Sequence, residues 1–194
     1  VMTEERAQIQ VFLQTKSIVT LAQCSEPQAQ VTKAGIVPFM QQASWRRYMV
    51  MKPVTKRPDL GEPEFQLCKG TRMFCKDGQW HDIRRQDVQT STIETLSETA
   101  LREGIEEIGL VLQNIITLYD CGLFRFTSAS SGRAKESWMF AAQMHNDTDF
   151  LSPEALTDTT QAREWVTLRE FKALGRPDHV HMLSLLDDML EKRP

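Results

Sequence analysis

Glu103, Glu106 and Glu107 stand at i, i+3 and i+4 in the run Arg102-Glu103-Gly104-Ile105-Glu106-Glu107-Ile108-Gly109-Leu110. On a helix that spacing puts three carboxylates on one narrow arc, because three- and four-residue steps return to the same face. Like charges so placed repel, by roughly 0.2–0.5 kcal/mol per pair. A divalent cation held by oxygen ligands would offset that cost; so would open solvent and salt. Ala100, Leu101, Ile105 and Ile108 form the apolar arc of the same helix, so the carboxylates are expected to turn away from its core contact. Arg102 falls between the arcs and can reach back to Glu98 or forward to Glu106. Gly104 costs about 1 kcal/mol relative to alanine in a helix interior. Close packing against a strand would account for it.

Two capping boxes compete for the start of this helix, Ser91 with Glu94 and Thr95 with Glu98. Gly109 supplies the stop. Upstream, Thr3 to Thr15 has helical spacing and reads as a peripheral helix, and Ser25 to Thr32 reads as a linker. Ala34 to Met40 reads as a strand whose Pro38 argues for an edge or a bulge. Trp45 to Met51 is a second strand, Pro53 to Pro63 a loop, and Glu64 to Leu67 a short strand leading into Lys69-Gly70. Asp77-Gly78, between Arg72-Met73-Phe74-Cys75-Lys76 and Gln79-Trp80-His81, is a hairpin signal. Beyond the acidic helix, Ile115 to Leu118, Leu123 to Phe126 and Ser137 to Met144 read as strands, and Asn146 to Thr160 as an acidic loop. Glu164 to Thr167 is a further strand. Thr167 with Glu170 caps a short helix ending near Gly175, and Asp178 can cap a last helix reaching Glu191. The order implies α/β architecture, a mixed sheet with helices against both faces.

At 194 residues and 41% hydrophobic content, the chain suits one domain with a full core. No run of eighteen apolar residues exists, so no membrane span is expected, and the charged start has no signal-peptide core. A cytoplasmic protein with reduced thiols is the expectation. Cys24, Cys68, Cys75 and Cys121 lack the close pairs of zinc sites, although Cys68 and Cys75 could pair across a turn. Net charge is −3, opposite to the balance of nonspecific DNA binders, so no nucleic-acid duplex is expected as a partner.

Arg102-Glu103-x-x-Glu106-Glu107-x-Gly109, with Glu94 eight residues before the arginine, resembles the core of the Nudix hydrolase motif. The family's glycine six residues before the first glutamate is Val88 here. Lys69-Gly70 resembles the family's strand-to-glycine approach instead, which makes the hairpin region near 71–90 an insertion of about eighteen residues. Gly104 also departs, since the family has a larger apolar residue there. Glu164-Trp165-Val166 and the following turn and helix resemble the family's late strand and closing helix. The resemblance thus covers residues 32–194, after an N-terminal helix and linker at 1–31. It implies a Nudix-like α/β/α sandwich with a mixed β-sheet.

The resemblance also implies an activity: hydrolysis of a pyrophosphate bond in a nucleoside diphosphate linked to another group, with Mg²⁺ or Mn²⁺ as cofactor. Such a cation neutralises charge on phosphate oxygens and lowers the pKa of bound water. By resemblance Glu103, Glu106 and Glu107 are metal ligands, with the carbonyl of Gly70. Glu103, Arg102 and Glu106 form the catalytic set, in which Glu103 or a distal loop acid is the general base and Arg102 orients a carboxylate. Glu94 is the auxiliary glutamate, or simply a cap residue. Asp147, Asp149, Glu154, Asp158 and Glu136 are the candidate distal acids. A noncatalytic nucleotide-binding or regulatory protein on the same scaffold is the alternative.

Substrate contacts are expected from Lys69, Arg46 and Arg47, with Lys52, Lys56 and Arg57 nearby. Trp45, Phe124, Phe126 and Trp138 could stack a base or fill the core. The hairpin carries Arg72, Lys76, His81, Arg84 and Arg85 beside Phe74 and Trp80. It could cover a nucleotide, contact a second subunit in a homodimer, or pad the surface.

Overall fold

A computed structural model describes residues 2–22, 28–55, 59, 61–83, 92–128, 131–145 and 160–193. Its helices are α1 (Met2–Thr15), α2 (Leu96–Ile108), α3 (Leu168–Leu174) and α4 (Pro177–Glu191). Its strands are β1 (Ile18–Thr20), β2 (Lys33–Gln42), β3 (Trp45–Pro53), β4 (Lys69–Thr71), β5 (Met73–Lys76), β6 (Gln79–Asp82), β7 (Thr92–Ile93), β8 (Ile115–Thr127), β9 (Ala134–Met144) and β10 (Thr160–Val166). The main sheet runs β1-β8-β9-β2-β3-β10, with β4 also paired to β2. It is mixed: β1 with β8 and β2 with β9 are parallel, and the other pairs are antiparallel.

Residue alternation explains the layers. On β9, Trp138, Phe140, Ala142 and Met144 face one core, and Met139 and Ala141 the other. On β2, Ala34 and Ile36 join the first core and Val37 and Phe39 the second. Period-two alternation of apolar residues on both faces means that both faces are covered. The first core is closed by Ile9 of α1 and by Leu96, Ala100, Leu101 and Ile108 of α2. The second is closed by Phe171 of α3 and by Met182, Leu183, Leu186 and Leu190 of α4. The expected α/β/α sandwich is the observed one.

Several local expectations change. β2 is central, not an edge, yet it keeps Pro38 without losing a ladder bond. Its flank away from β9 is divided between β4, which pairs residues 33–35, and β3, which pairs residues 39–42. Ile36 N–H points to that flank, donating to Cys68 O at 3.1 Å. Pro38 has the same parity, so its missing N–H falls in the gap. β8 is one continuous strand rather than two; its register against β9 shifts at Ile115–Thr117 and again at Asp120–Gly122. Gly122 has φ 80°, and Asp120 Oδ1 accepts from its N–H and from Trp138 Nε1. A glycine in the left-handed region and a local side-chain acceptor let the strand bulge without breaking. Residues 64–67 make only isolated bridges, Met51 with Gln66 and Phe65 with Gly175. Asp178 does not cap α4: Pro177 occupies its first turn, and Asp178 pairs with Arg176 at 2.5 Å.

The N-terminal segment is not peripheral. Ile9 is 2% exposed in the first core, and β1, which had no strong sequence signal in three residues, extends the sheet along β8. The hairpin is present, with Asp77 and Gly78 both at positive φ as a tight turn requires. Its aromatics are not exposed, however. Phe74 is buried against His81, with ring centroids 5.5 Å apart, and Trp80 lies under Arg6. Arg72 is buried as well, donating to the carbonyls of Glu94, Val31 and Gln28. Cys68, Cys75 and Cys121 are free thiols, so Cys68 and Cys75 are not paired. Arg84, Arg85, Cys24 and Ser91 lie outside the described residues.

Gly104 does pack a strand. A Cβ there would lie 2.9 Å from both Ile36 Cγ2 and Leu110 Cδ2. Gly104→Leu is therefore expected to destabilise the fold by about 2 kcal/mol or more through overpacking, despite leucine's better helix propensity. Urea unfolding measures it; equal or greater stability would show that the α2–β2 contact has room to spare.

Candidate active site

α2 begins at a complete capping box. Thr95 Oγ1 accepts from Glu98 N–H, and the Glu98 carboxylate accepts from Thr95 N–H. Glu98 is therefore spent on the cap and on Gln10 of α1, and does not meet Arg102. At the other end Gly109, at φ 67°, donates to Ile105 O, and Leu110 N–H to Gly104 O. These ends fix the register in which Arg102 and the carboxylates leave the helix.

Arg102 is 4% exposed and touches every acidic group proposed from the motif except Glu107. Nε donates to Glu94 Oε1 at 2.8 Å, and Nη1 to Glu103 Oε1 at 2.9 Å and to Glu106 Oε2 at 2.8 Å. Nη2 donates to Thr71 O at 2.8 Å. The guanidinium fork thus joins α2, β4 and the segment before α2. Glu94 is fully buried and saturated: Oε1 also receives Arg6 at 2.6 Å, and Oε2 receives Met73 N–H and Thr99 Oγ1. Burial alone would raise its pKa, but the bonds and charge of Arg102, with Met73 N–H and Arg6, hold it below the usual carboxylate range. Its identity is ion-pair partner, not cap.

The carboxylate arc is not turned away from the protein. Glu103 is 9% exposed, Glu107 is half-buried, and only Glu106 is open to solvent. β4 crosses this face, which a wheel drawn for α2 alone cannot contain. Burial, helped by the neighbouring charges of Glu107 and Glu106 and opposed by Arg102, raises the Glu103 carboxyl to about 7. Glu107 is raised by burial and by Glu106, against the Cys68 thiol and the Lys69 backbone N–H that bond to it. Gly70 lies on this face too. A Cβ there would fall 2.0 Å from Glu103 Cδ, so the close approach of β4 to Glu103 exists only because residue 70 has no side chain.

The donors on this face suit a hard divalent cation. Glu107 Oε2 is buried with no hydrogen-bond partner among the described residues. Glu103 and Glu106 each give one oxygen to Arg102, and Gly70 brings backbone against the Glu103 carboxylate. Oxygen-only donors of this kind suit Mg²⁺ or Mn²⁺. As they stand, no three His, Cys, Asp or Glu side chains among the described residues converge on one point. Arg102 draws Glu103 and Glu106 toward itself, and closing the set requires their other oxygens to swing to Glu107. The residues fit the group.

Lys69 leads from the acidic face to a basic one. Its Nζ lies 5.5 Å from the Phe126 ring centroid. Burial, then Lys33, Arg176 and Lys135, lower its pKa to about 8, with Asp178 opposing. Phe126, Lys33 and Lys135 line a cavity of about 740 Å³ together with Arg125 and Glu136. His179, buried under Phe126, accepts from Leu67 N–H at 2.9 Å and stays neutral, its pKa lowered to about 3 by burial and these cations. Lys33, Lys135 and His179 carried no sequence signal, because only the β2–β4 and β8–β9 registers and α4 bring them here.

The other expected substrate residues are elsewhere. Arg46 pairs with Asp187 at 3.1 Å and Glu191 at 2.7 Å on α4, across the sheet from α2. Arg47 lies over Trp45, 5.4 Å from its ring centroid. Lys52 is 3.8 Å from Glu62. Phe124 and Trp138 are core residues, Glu136 pairs with Arg125, and Trp45 is exposed. Lys56, Arg57, Asp147, Asp149, Glu154 and Asp158 lie outside the described residues.

Residues 92–186 match the family model for the NUDIX domain. Among solved structures, an Ap4A hydrolase binary complex from C. elegans is similar at TM-score 0.56 and 15% identity, over 84% of this chain and 99% of that one. A Listeria monocytogenes protein described as a NUDIX hydrolase is similar at TM-score 0.54 and 17% identity, over 84% and 95%. The NUDIX domain of Shewanella oneidensis NrtR, complexed with ADP ribose, is similar at 0.52 and 11%, over 91% of each chain. A search of curated proteins finds no match. Residues 92–186 therefore carry a NUDIX domain match, and the chain has the fold of these structures. No helix is long and apolar enough to cross a membrane among the described residues.

Glu103 sets a pH test. Its carboxyl ionises near 4.5 when unfolded and near 7 when folded, so the folded state binds the extra proton between those values. Its contribution is full below about pH 4.5 and is lost as pH rises through 7, on the order of 3 kcal/mol. Metal-free protein should melt at a lower temperature at pH 8 than at pH 5.5, and Glu103→Gln should flatten that slope. A slope unchanged by Glu103→Gln would assign it to other groups.

Proposed function

We propose that this chain is a Mg²⁺- or Mn²⁺-dependent hydrolase that cleaves a pyrophosphate bond in a nucleoside diphosphate linked to another group. The observation that carries the reading is the carboxylate set of buried Glu103, half-buried Glu107 and exposed Glu106, with Gly70 against Glu103 and one buried Glu107 oxygen lacking a partner among the described residues. A solvated acidic face would need neither burial nor a glycine against it.

Glu103, Glu106, Glu107 and the Gly70 carbonyl would hold the cation, which when bound supplies charge neutralisation and an acidified water. Arg102 orients Glu103 and Glu106 by its Nη1 bonds, and Glu94 anchors Arg102 from behind. Glu103 is the catalytic base we favour on this face. Lys69, mostly protonated at neutral pH, would receive phosphate oxygens, joined by Lys33 and Lys135 in place of the Arg46 and Arg47 first expected. Phe126 offers a face to a base at the same cavity.

A panel of nucleoside diphosphate derivatives with Mg²⁺ or Mn²⁺ tests this. Glu106→Gln and Glu107→Gln should each cut kcat by more than the roughly 10- to 100-fold typical of losing an outer-shell partner. Lys69→Gln should chiefly raise KM. Turnover unchanged in both glutamate variants would sink the assignment. Binding without turnover in the native protein would favour the regulatory alternative.

A further inference from the structure

Resting on the metal-dependent reading above, we propose that Arg6 of α1 is a positioning residue of the same site, holding Glu94 so that Arg102 can set Glu103 and Glu106. Arg6 is fixed on three sides. Nη1 lies 2.6 Å from Glu94 Oε1, Nη2 is 3.6 Å from Met73 Sδ, and the guanidinium carbon is 3.4 Å above the Trp80 ring centroid. Its side chain is only 14% exposed, and Glu94 is fully buried. This is not the solvent-screened surface pair that contributes little. It is a desolvated contact held by an aromatic plane.

The charge arithmetic explains the need. Arg102 alone faces Glu94, Glu103 and Glu106, one cation for three carboxylates. Arg6 brings a second cation to Glu94, sharing Oε1 with Arg102 Nε. Glu94 then does not depend on Arg102 alone, and Arg102 Nη1 is left to Glu103 and Glu106. α1 is held in place for this by buried Ile9 and by Gln10 bonded to Glu98. Trp80 comes from the hairpin, which thereby covers an arginine. Both Arg6 and Trp80 lie outside residues 92–186, the segment that matches the family model.

Charge and position pull the readout in opposite directions. Removing a nearby cation would by itself tighten Mn²⁺ binding; freeing Glu94 and Arg102 would loosen it. The experiment is a titration of the full chain with Mn²⁺, reading free Mn²⁺ by electron paramagnetic resonance, alongside melting temperatures. Arg6→Met is expected to weaken Mn²⁺ binding about tenfold or more, as loss of an outer-shell partner does. Arg6→Lys should recover part of it, and Trp80→Leu should weaken binding less than Arg6→Met. If Arg6→Met does not fold, the other two variants decide. Native binding with undiminished affinity in the folded variants overturns the role of Arg6 and leaves the hydrolase reading standing. A native protein with no Mn²⁺ site overturns both.

Discussion

One buried cation organises this site. Arg102 is almost fully desolvated, and its contacts join separate parts of the chain's architecture: Glu94 before α2, Glu103 and Glu106 on it, with Thr71 of β4 closing the fork. Burying such a charge is costly unless it is paired and hydrogen-bonded. The pairing is complete, and its geometry is what sets α2 against β4. Remove the guanidinium, and buried Glu94 keeps Arg6 as its one counter-charge among the described residues while Glu103 loses its orientation.

The acidic face depends on that frame. Glu103 and Glu107 are pressed toward β4, where burial raises both pKa values. A carboxylate in that setting binds a proton readily, and a divalent cation can take its place. Gly70 lets the strand approach closely enough for this to happen. On the other side of Lys69 the chain turns basic, so anion-attracting and cation-attracting surfaces meet at two consecutive residues. That juxtaposition suits a substrate carrying phosphates that must bridge a metal and ammonium groups.

The sequence made some of this legible and hid the rest for identifiable reasons. The i, i+3, i+4 spacing, the Thr95 box and Gly109 are local, and local signals survived. Gly104 against a strand was legible because a mid-helix glycine has few uses. The carboxylates' burial was not legible, because a helical wheel for α2 contains no β4. Arg46 looked like a cleft residue only because its partners, Asp187 and Glu191, are some 140 residues away. Pro38 suggested an edge strand, since no sequence rule reveals that one flank of β2 is shared by two partners. Arg6 resembled any helix surface arginine until the hairpin and α1 closed around it.

The most direct test is a crystal of the protein soaked in Mn²⁺, with anomalous difference density collected near the manganese edge. The proposed site requires a peak coordinated by Glu103, Glu106, Glu107 and the carbonyl of Gly70, all hard oxygen ligands, with Arg102 still bonded to Glu94. A peak elsewhere on the molecule, or no peak while Glu107 Oε2 stays buried and unpartnered, would contradict it.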